Sequence, residues 1–446
     1  METKAGLKNV LKNSAFIFSS TSIASIFGLT STLILARYFG TEKYGIVALF
    51  QACVIIVRGF VNTQPWQAII KYGVINLKLE QKKEFLNLAK ITLLIEIFSA
   101  FLSGTVFILL LKFFNKFLGI PDVYINLGIL YCFTAFLNYT GFFTGILRLF
   151  NKFNLISIHI LISSIMRLIF IIAIWILKLS FIHSVYFLII ADIFHHVLFI
   201  TFGIFVFNNK TKNNFFKLLT IRGGLKSSFK EVAKYLAPIW GWSTLRMLPR
   251  ELDLLLVGSF LGLPSAGIYK ITKQFASVLS RIYQPLYQAI FLDINIMNQN
   301  KDYKKLKKLL QQSTALIFLS SFILFLIFFV FGKNILLVIV GNSYSPAYWP
   351  TIIYLLACII SSFSITLLPF LFSIGYEKYV MKIYLMPAII YFLIFPLFVM
   401  KFNISGASMA FVVFNLGITI LITKKSLSIL NRLAFKVENI YEKYTI

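Results

Sequence analysis

The sequence predicts an all-α polytopic membrane protein with twelve transmembrane helices in two parallel six-helix lobes. Composition, the spacing of apolar runs and an internal repeat all indicate this class. Of the 446 residues 59% are hydrophobic and only 13% are charged, which excludes an ordinary soluble protein. A net charge of +28 would suggest nucleic-acid binding in a soluble protein. In a membrane chain it reflects the excess of Lys and Arg on the cytoplasmic side, so no nucleic-acid partner is expected.

Twelve apolar stretches are each long enough to cross a bilayer, which takes about 17–25 residues in a helix. They are residues 14–36, 45–70, 89–111, 124–147, 154–177, 184–207, 235–260, 266–292, 313–331, 350–372, 379–400 and 406–423. The segment Ile335–Val340 is too short to cross, and we expect it in a loop or a re-entrant piece.

The distribution of basic residues between the loops predicts the orientation. With the N-terminus inside, the cytoplasmic segments hold 29 of the 43 Lys and Arg residues and the opposite loops hold 7. Cytoplasmic loops carry the basic excess in membrane proteins. Both termini are therefore predicted to be cytoplasmic.

The chain repeats itself with an offset of about 220 residues. Three pairs of segments match in the same order: Gly40–Ile46 with Gly262–Ile268, Gln64–Ile69 with Gln284–Ile290, and Phe150–Phe153 with Tyr376–Tyr379. Because each half holds an even number of spans, the lobes are parallel repeats related by an axis along the membrane normal. The predicted domains are an N-terminal lobe (1–207), a basic cytoplasmic linker (208–234), a C-terminal lobe (235–423) and a basic cytoplasmic tail (424–446).

Spans seven and eight form a hairpin with far more charge than hydrocarbon usually surrounds. The charged and amide side chains are Arg246, Arg250, Glu251 and Asp253 on the first arm, and Lys270, Lys273, Arg281 and Gln284 on the second. A charge at the bilayer centre costs about 2.5–3.5 kcal/mol on insertion scales and usually faces a bundle interior or a cavity. The hairpin is therefore predicted to line a polar, positive space.

Three arginines are candidates for binding an anion near the membrane midplane. Arg246 and Arg281 lie in the hairpin, and Arg58 lies at a similar depth in span two, where Gln51 and Asn62 continue its polar face. Guanidinium groups remain charged and match phosphate oxygens in a bidentate manner. The set predicts a phosphate or pyrophosphate ligand; the alternative is that each arginine pairs with acids or carbonyls elsewhere in the bundle.

Acidic residues within spans could couple transport to a proton or a sodium ion. Asp253 either titrates in this way or forms a structural salt bridge with Lys270 or Lys273. Glu96 and Asp192 are the other candidates. Asp192 shares a helix face with His195 and His196, which could bind metal, although partial burial against another helix is the favoured interpretation. We expect no cofactor and no metal centre, and Cys53, Cys132 and Cys358 form no disulfide or metal motif.

Several motifs give the chain a resemblance to a known family. They are Ala36–Gly40 with Tyr44–Ile46, Asp253–Gly258 with Leu261–Gly262 and Ala266–Tyr269, Val340–Ala347, Gly375–Lys378, and Ile404–Ala407. In this order they resemble the Wzx-type polysaccharide repeat-unit flippases of O-antigen and capsule synthesis. These flippases belong to the multidrug/oligosaccharidyl-lipid/polysaccharide (MOP) exporter superfamily.

The resemblance implies a V-shaped pair of lobes around a cationic central cavity, alternating access and no enzymatic activity. It implies an undecaprenyl-pyrophosphate-linked oligosaccharide as substrate, moved from the cytoplasmic to the periplasmic leaflet of the bacterial inner membrane. Membrane lipids, a polysaccharide polymerase and a chain-length regulator are the other expected partners. The alternative is a cation-coupled multidrug exporter of the same superfamily, but midplane arginines would repel its cationic substrates.

Overall fold

The structure, a computed structural model, describes residues 2–137, 140–220, 225–299 and 302–444. Side chains are described there except at residues 2–18, 225–228, 242, 246, 304, 377 and 434–444 and at most positions from 280 to 299. Helices occupy all twelve predicted spans within these ranges, with short breaks inside 45–70, 124–147 and 350–372. The described residues contain no β-strand. The prediction of an all-α polytopic membrane protein is confirmed.

Contacts divide the chain into two units, residues 1–255 and 256–446. The helices that begin in the first unit are α1 (Glu2–Val61), α2 (Trp66–Lys78), α3 (Lys82–Phe114), α4 (Ile125–Tyr131), α5 (Phe133–Phe136), α6 (Thr140–Leu149), α7 (Phe153–Ile176), α8 (Phe181–Thr211) and α9 (Leu225–Leu261). Those of the second unit are α10 (Leu263–Gln299), α11 (Tyr303–Ile339), α12 (Tyr348–Ile365), α13 (Leu367–Ser373) and α14 (Glu377–Tyr444). The predicted domain limits, with a linker at 208–234, stay a prediction.

Eight helical segments of the described chain are long and apolar enough to cross a membrane. Ser19–Val61 covers most of the predicted spans 14–36 and 45–70, and Lys378–Leu433 contains the predicted spans 379–400 and 406–423. They do so because α1 continues through Gly40 and α14 through Asn403, where the backbone leaves the helical region. The charged hairpin helices α9 and α10 are not among the eight.

The structure contradicts the expectation that Ile335–Val340 lies in a loop or a re-entrant piece. Helix α11 runs without interruption to Ile339. The apolar run before it and the absence of Pro leave nothing to stop the helix until Gly341, whose φ of 107° no other residue type adopts easily. Since α11 has 37 residues, it is about 55 Å long at 1.5 Å per residue and exceeds the thickness of a bilayer core.

Matching turns in the two halves extend the repeat beyond the sequence matches. Gly40 and Gly262, paired by their motifs, have φ values of 71° and 80°. Gly119 and Gly341 have φ values of 68° and 107°, and each precedes a short 3₁₀ helix. The same backbone conformations thus recur about 220 residues apart at the helix-to-helix turns.

Each unit has a core rich in aromatic side chains. In the first unit Phe142, Phe143 and Phe207 are fully buried, and the Phe142 and Phe143 rings meet edge to face at 5.1 Å. In the second unit the Tyr354 ring stacks on Phe411 at 4.4 Å between centroids. Aromatic pairs of this kind contribute about 0.5–1.5 kcal/mol beyond the area they bury.

The first half of α9 packs on the first unit. Its Val232 and Leu236 are buried against Ala68 of α2 and Leu88 of α3. Two hydrogen bonds then join α9 to the end of α1: Trp240 Nε1 donates to the Phe60 carbonyl at 2.7 Å, and Thr244 Oγ1 donates to the Gly59 carbonyl at 3.1 Å. These contacts place the middle of α9 beside the polar face of α1.

Candidate functional site

A polar stripe on the second half of α1 organises the candidate site. Gln51 and Arg58 lie seven residues apart on α1, which puts them on one face because about 3.6 residues make one turn. Asn62 follows the last residue of α1, and its amide still donates to the Arg58 carbonyl at 2.8 Å. All three line cavities of the first unit. The predicted polar face around Arg58 is therefore present.

The first cavity, here called the arginine cavity, has a volume of about 560 Å³. Its polar and charged lining residues are Arg58, Asn62, Gln64, Thr140, Thr144, Arg148, Ser243, Arg250 and Glu251. Three of them are arginines and one is an acid, so the lining is cationic. Among the predicted ligands, the structure brings Arg58 and Arg250 together here.

Two of these arginines are held by neighbouring side chains. Arg58 Nη2 donates to Thr140 Oγ1 at 3.3 Å, and the Arg148 guanidinium lies 4.7 Å from the centre of the Trp66 ring. Stacking on an aromatic face leaves the N–H groups at the rim of a guanidinium available to other acceptors. The Arg148 Nε atom is buried and has no hydrogen-bond partner among the described residues.

Sequence reasoning missed Arg148, which was counted with a cytoplasmic loop. It lies in the last turn of α6. The spacing of Thr140, Thr144 and Arg148 is the signal that could have found it, since residues four apart share one helix face. All three line the arginine cavity.

Glu96 of α3 lies directly behind the wall of the arginine cavity and is 1% exposed. Its Oε1 atom accepts hydrogen bonds from the Gly141 amide at 2.9 Å and from Asn62 Nδ2 at 3.4 Å. Its Oε2 atom is buried without a hydrogen-bond partner among the described residues. A Cβ at Gly141 would come within 2.5 Å of this carboxylate, so the glycine is what allows the close approach.

A second cavity of about 470 Å³, here called the hydroxyl cavity, adjoins the first through Val54, Ile55 and Arg58. Its charged residues besides Arg58 are Arg167 and Asp192, which form an ion pair at 3.1 Å. Tyr131 donates a further hydrogen bond to Asp192 at 2.9 Å. The predicted coupling residue Asp192 is thus held by two partners, and its coupling role stays a prediction.

Three histidines cluster beside the hydroxyl cavity. The ring centroids of His159 and His195 are 4.5 Å apart, and those of His195 and His196 are 5.1 Å apart. His159 Nε2 bonds to the His195 carbonyl at 3.0 Å. No group of three or more His, Cys, Asp or Glu side chains among the described residues could hold a metal ion. The contacts between His159 of α7 and His195 of α8 show that the histidine face is partly buried against α7, as the favoured interpretation of the sequence predicts.

The remaining hairpin candidates are only partly described. The side chains of Arg246, Arg281 and Gln284 lie outside the described residues. Asp253 is fully buried on α9, and its Oδ1 atom accepts from the Leu254 amide at 2.7 Å. On α10, Lys273 Nζ lies 5.9 Å from the centre of the Tyr269 ring. The pairing of Asp253 with Lys270 or Lys273 stays a prediction.

A family model described as "Polysaccharide biosynthesis protein" matches residues 10–291, which is more than half of the chain. The chain belongs to this family. The sequence-based resemblance, which led to the polysaccharide flippases of the MOP superfamily, is thereby confirmed at the level of the family.

One relative of the chain is the inner membrane protein YghQ of Escherichia coli (strain K12). The two are 23% identical over 275 residues, which cover 60% of this chain and 75% of YghQ.

Similar solved structures show the same fold. An inward-facing MATE family transporter of the MOP superfamily has a TM-score of 0.76 at 13% identity, covering 92% of this chain and 95% of that one. A MOP superfamily transporter from Pyrococcus furiosus, described as having a binding pocket of reverse polarity, has a TM-score of 0.65 at 13% identity, covering 96% of this chain and 96% of that one. A point mutant of the Vibrio cholerae MATE transporter VcmN has a TM-score of 0.61 at 14% identity, covering 95% of this chain and 100% of that one. The chain is a membrane protein with the fold of MOP superfamily transporters.

Proposed function

We propose that the protein is a flippase that moves undecaprenyl-pyrophosphate-linked O-antigen or capsular repeat units from the cytoplasmic to the periplasmic leaflet of a bacterial inner membrane. The arginine cavity is the observation that carries this proposal. A diphosphate ester is dianionic, and three arginines around one cavity supply both charge and bidentate donors for it. The family to which the chain belongs supports the same substrate class.

An apolar groove beside the arginine cavity supports a lipid-linked substrate. It has a volume of about 760 Å³ and is lined by Phe60, Val61, Thr63, Ile91, Leu94, Ile95, Phe98, Ser99, Leu102, Phe229 and Trp240. The end of α1 separates the two spaces, since Arg58, Gly59 and Asn62 line the arginine cavity while Phe60 and Val61 line the groove.

The polar backbone atoms at this end of α1 are already bonded. The Phe60 carbonyl accepts from Trp240, and the Val61 carbonyl accepts from Ser99 Oγ at 3.3 Å. A hydrocarbon chain can therefore lie in the groove without leaving these carbonyls unsatisfied. One lipid can place its diphosphate among the arginines and the first part of its chain in the groove.

The coupling step belongs to the same proposal. Glu96 supports it best, because one of its carboxylate oxygens is buried and without a hydrogen-bond partner among the described residues. Such an oxygen offers a place for a proton or a sodium ion. Asp192 and Asp253 remain the other candidates for the coupling residue.

The proposal also includes cytoplasmic N- and C-termini. It includes association with a polysaccharide polymerase and a chain-length regulator.

A cation-coupled multidrug exporter is the second candidate, because the MATE transporters share the fold. The charge of the arginine cavity favours an anionic ligand and disfavours the organic cations that such an exporter would carry.

Deletion of the gene in its native host distinguishes the two functions. We expect loss of the surface polysaccharide on a silver-stained gel and accumulation of the lipid-linked repeat unit inside the cell, both reversed by a plasmid copy. Sensitivity to a cationic dye such as ethidium should not change. Intact polysaccharide together with raised ethidium sensitivity would instead identify a drug exporter.

A further inference from the structure

We infer that the hydroxyl cavity is the binding site for the first sugar of the lipid-linked substrate, separate from the arginine cavity that holds its diphosphate. This inference rests on the proposed function. It adds a ligand class, an uncharged pyranose, and assigns it to a defined place within the first unit.

The charge of the two cavities is the first argument. In the hydroxyl cavity Arg167 is matched by Asp192 at 3.1 Å, so the pair is neutral and the shared Arg58 is the remaining charged residue of the lining. The arginine cavity has one acid, Glu251, for its three arginines. A diphosphate therefore belongs in the arginine cavity, and an uncharged polar group belongs in the hydroxyl cavity.

Two buried polar groups without partners point to a ligand. Ser163 is 8% exposed and His196 is 9% exposed, and both line the hydroxyl cavity. Ser163 Oγ and His196 Nδ1 have no hydrogen-bond partner among the described residues. Leaving such groups unpaired is unfavourable, and a sugar hydroxyl can both donate and accept a hydrogen bond.

The Arg167–Asp192 pair suits the same ligand. Both side chains line the cavity and retain some exposure, 36% for Arg167 and 20% for Asp192. Each therefore still offers a donor or an acceptor edge to hydroxyl groups of a sugar. Thr134, Ser164 and Gln51 add further hydroxyl and amide groups to the lining.

The connection between the cavities matches the covalent order of the substrate. Arg58 lines both, so it stands where the diphosphate is joined to the sugar. The apolar groove lies across the last turn of α1 from the arginine cavity, since Phe60 and Val61 line the groove while Gly59 and Asn62 line the cavity. The arginine cavity therefore has the hydroxyl cavity on one side and the apolar groove on another, just as the diphosphate stands between the sugar and the hydrocarbon chain in a polyprenyl-diphosphate-linked saccharide.

Binding of defined lipids to the purified protein tests the inference. The probes are undecaprenyl diphosphate and the same lipid bearing one glucose, galactose or N-acetylglucosamine, with affinities measured by native mass spectrometry in detergent. We expect at least one glycosylated lipid to bind about tenfold or more tightly than the bare diphosphate. The double variant Ser163→Ala/His196→Phe should lose that preference and still bind the bare diphosphate as the wild type does.

Thr201→Ala is the matched control, because Thr201 lies on α8 with His196, is exposed, lines neither cavity and already donates to the Val197 carbonyl at 2.8 Å. It should keep the preference within about twofold. Equal binding of bare and glycosylated lipids by the wild type would overturn the inference and mean that the cavity holds water alone. The inference would also be overturned if the double variant unfolds at the wild-type temperature but loses affinity for the bare and the glycosylated lipids to the same extent. If the wild type binds none of these lipids, the proposed function itself fails.

Discussion

Replacing Arg58 with alanine should reduce polysaccharide export at least tenfold. Arg58 lines both polar cavities of the first unit, and its guanidinium is positioned by Thr140 at 3.3 Å. A hydrogen bond to a charged group contributes about 1.5–3 kcal/mol, and about 1.4 kcal/mol corresponds to a factor of ten in binding. Arg58→Lys keeps the charge but loses the bidentate geometry, so its export should lie between those of the wild type and Arg58→Ala.

The measurement is polymer output in a deletion strain that carries each variant on a plasmid, with membrane levels determined by immunoblot. Arg432→Ala is the control, because Arg432 is an exposed residue of α14 far along the chain from the site; it should export normally. Wild-type export by Arg58→Ala at normal membrane levels would show that Arg58 is structural.

Replacing Gly406 with alanine should lower the free energy of unfolding by more than the other glycine-to-alanine replacement tested here. A Cβ at Gly406 would overlap the carbonyl oxygen and the carbonyl carbon of Phe398. Both are backbone atoms on the other side of the turn at Asn403, so no side-chain rotation relieves the contact. Overpacking usually costs about 1–3 kcal/mol, and a rigid backbone contact places Gly406→Ala at the upper end of that range or beyond it.

Gly241→Ala is the matched control, because nothing lies within 4 Å of its Cβ position. In the helical backbone of α9 this change should be neutral or stabilising by about 0.4–1 kcal/mol. Thermal unfolding of both variants in detergent, followed by tryptophan fluorescence, makes the comparison. An unfolding temperature for Gly406→Ala equal to that of Gly241→Ala would contradict the packing at this turn.

The helices and the family were predictable from the sequence because their signals are local. Apolar runs of sufficient length decide where the spans lie, and the paired motifs at Gly40 and Gly262 correspond to two turns of similar conformation. The prediction for Ile335–Val340 was wrong because a length criterion cannot detect that a short apolar segment continues the helix before it. Only the glycine at 341 ends it.

The site was predictable only where a single helix carries the pattern. Gln51 and Arg58 on α1, with Asn62 directly after its last residue, form a stripe that the sequence shows directly. The pairing of Arg167 with Asp192 joins helices α7 and α8, and the approach of Glu96 to Gly141 joins α3 and α6. Such contacts depend on how the helices pack, and no spacing along one helix encodes them.

Movement of a lipid-linked saccharide across a membrane by the purified protein tests the central claim most directly. Proteoliposomes would contain galactosyl-diphosphoundecaprenol in both leaflets, and a galactose-specific enzyme added outside would act on the outer leaflet alone. With the protein present, we expect the fraction accessible to the enzyme to rise from about half to nearly all of the lipid, and Arg58→Ala to slow that rise at least tenfold. The flippase account would be contradicted if the accessible fraction stays at the level of protein-free liposomes. The same must hold for lipids that bear glucose or N-acetylglucosamine, each tested with an enzyme specific for its sugar.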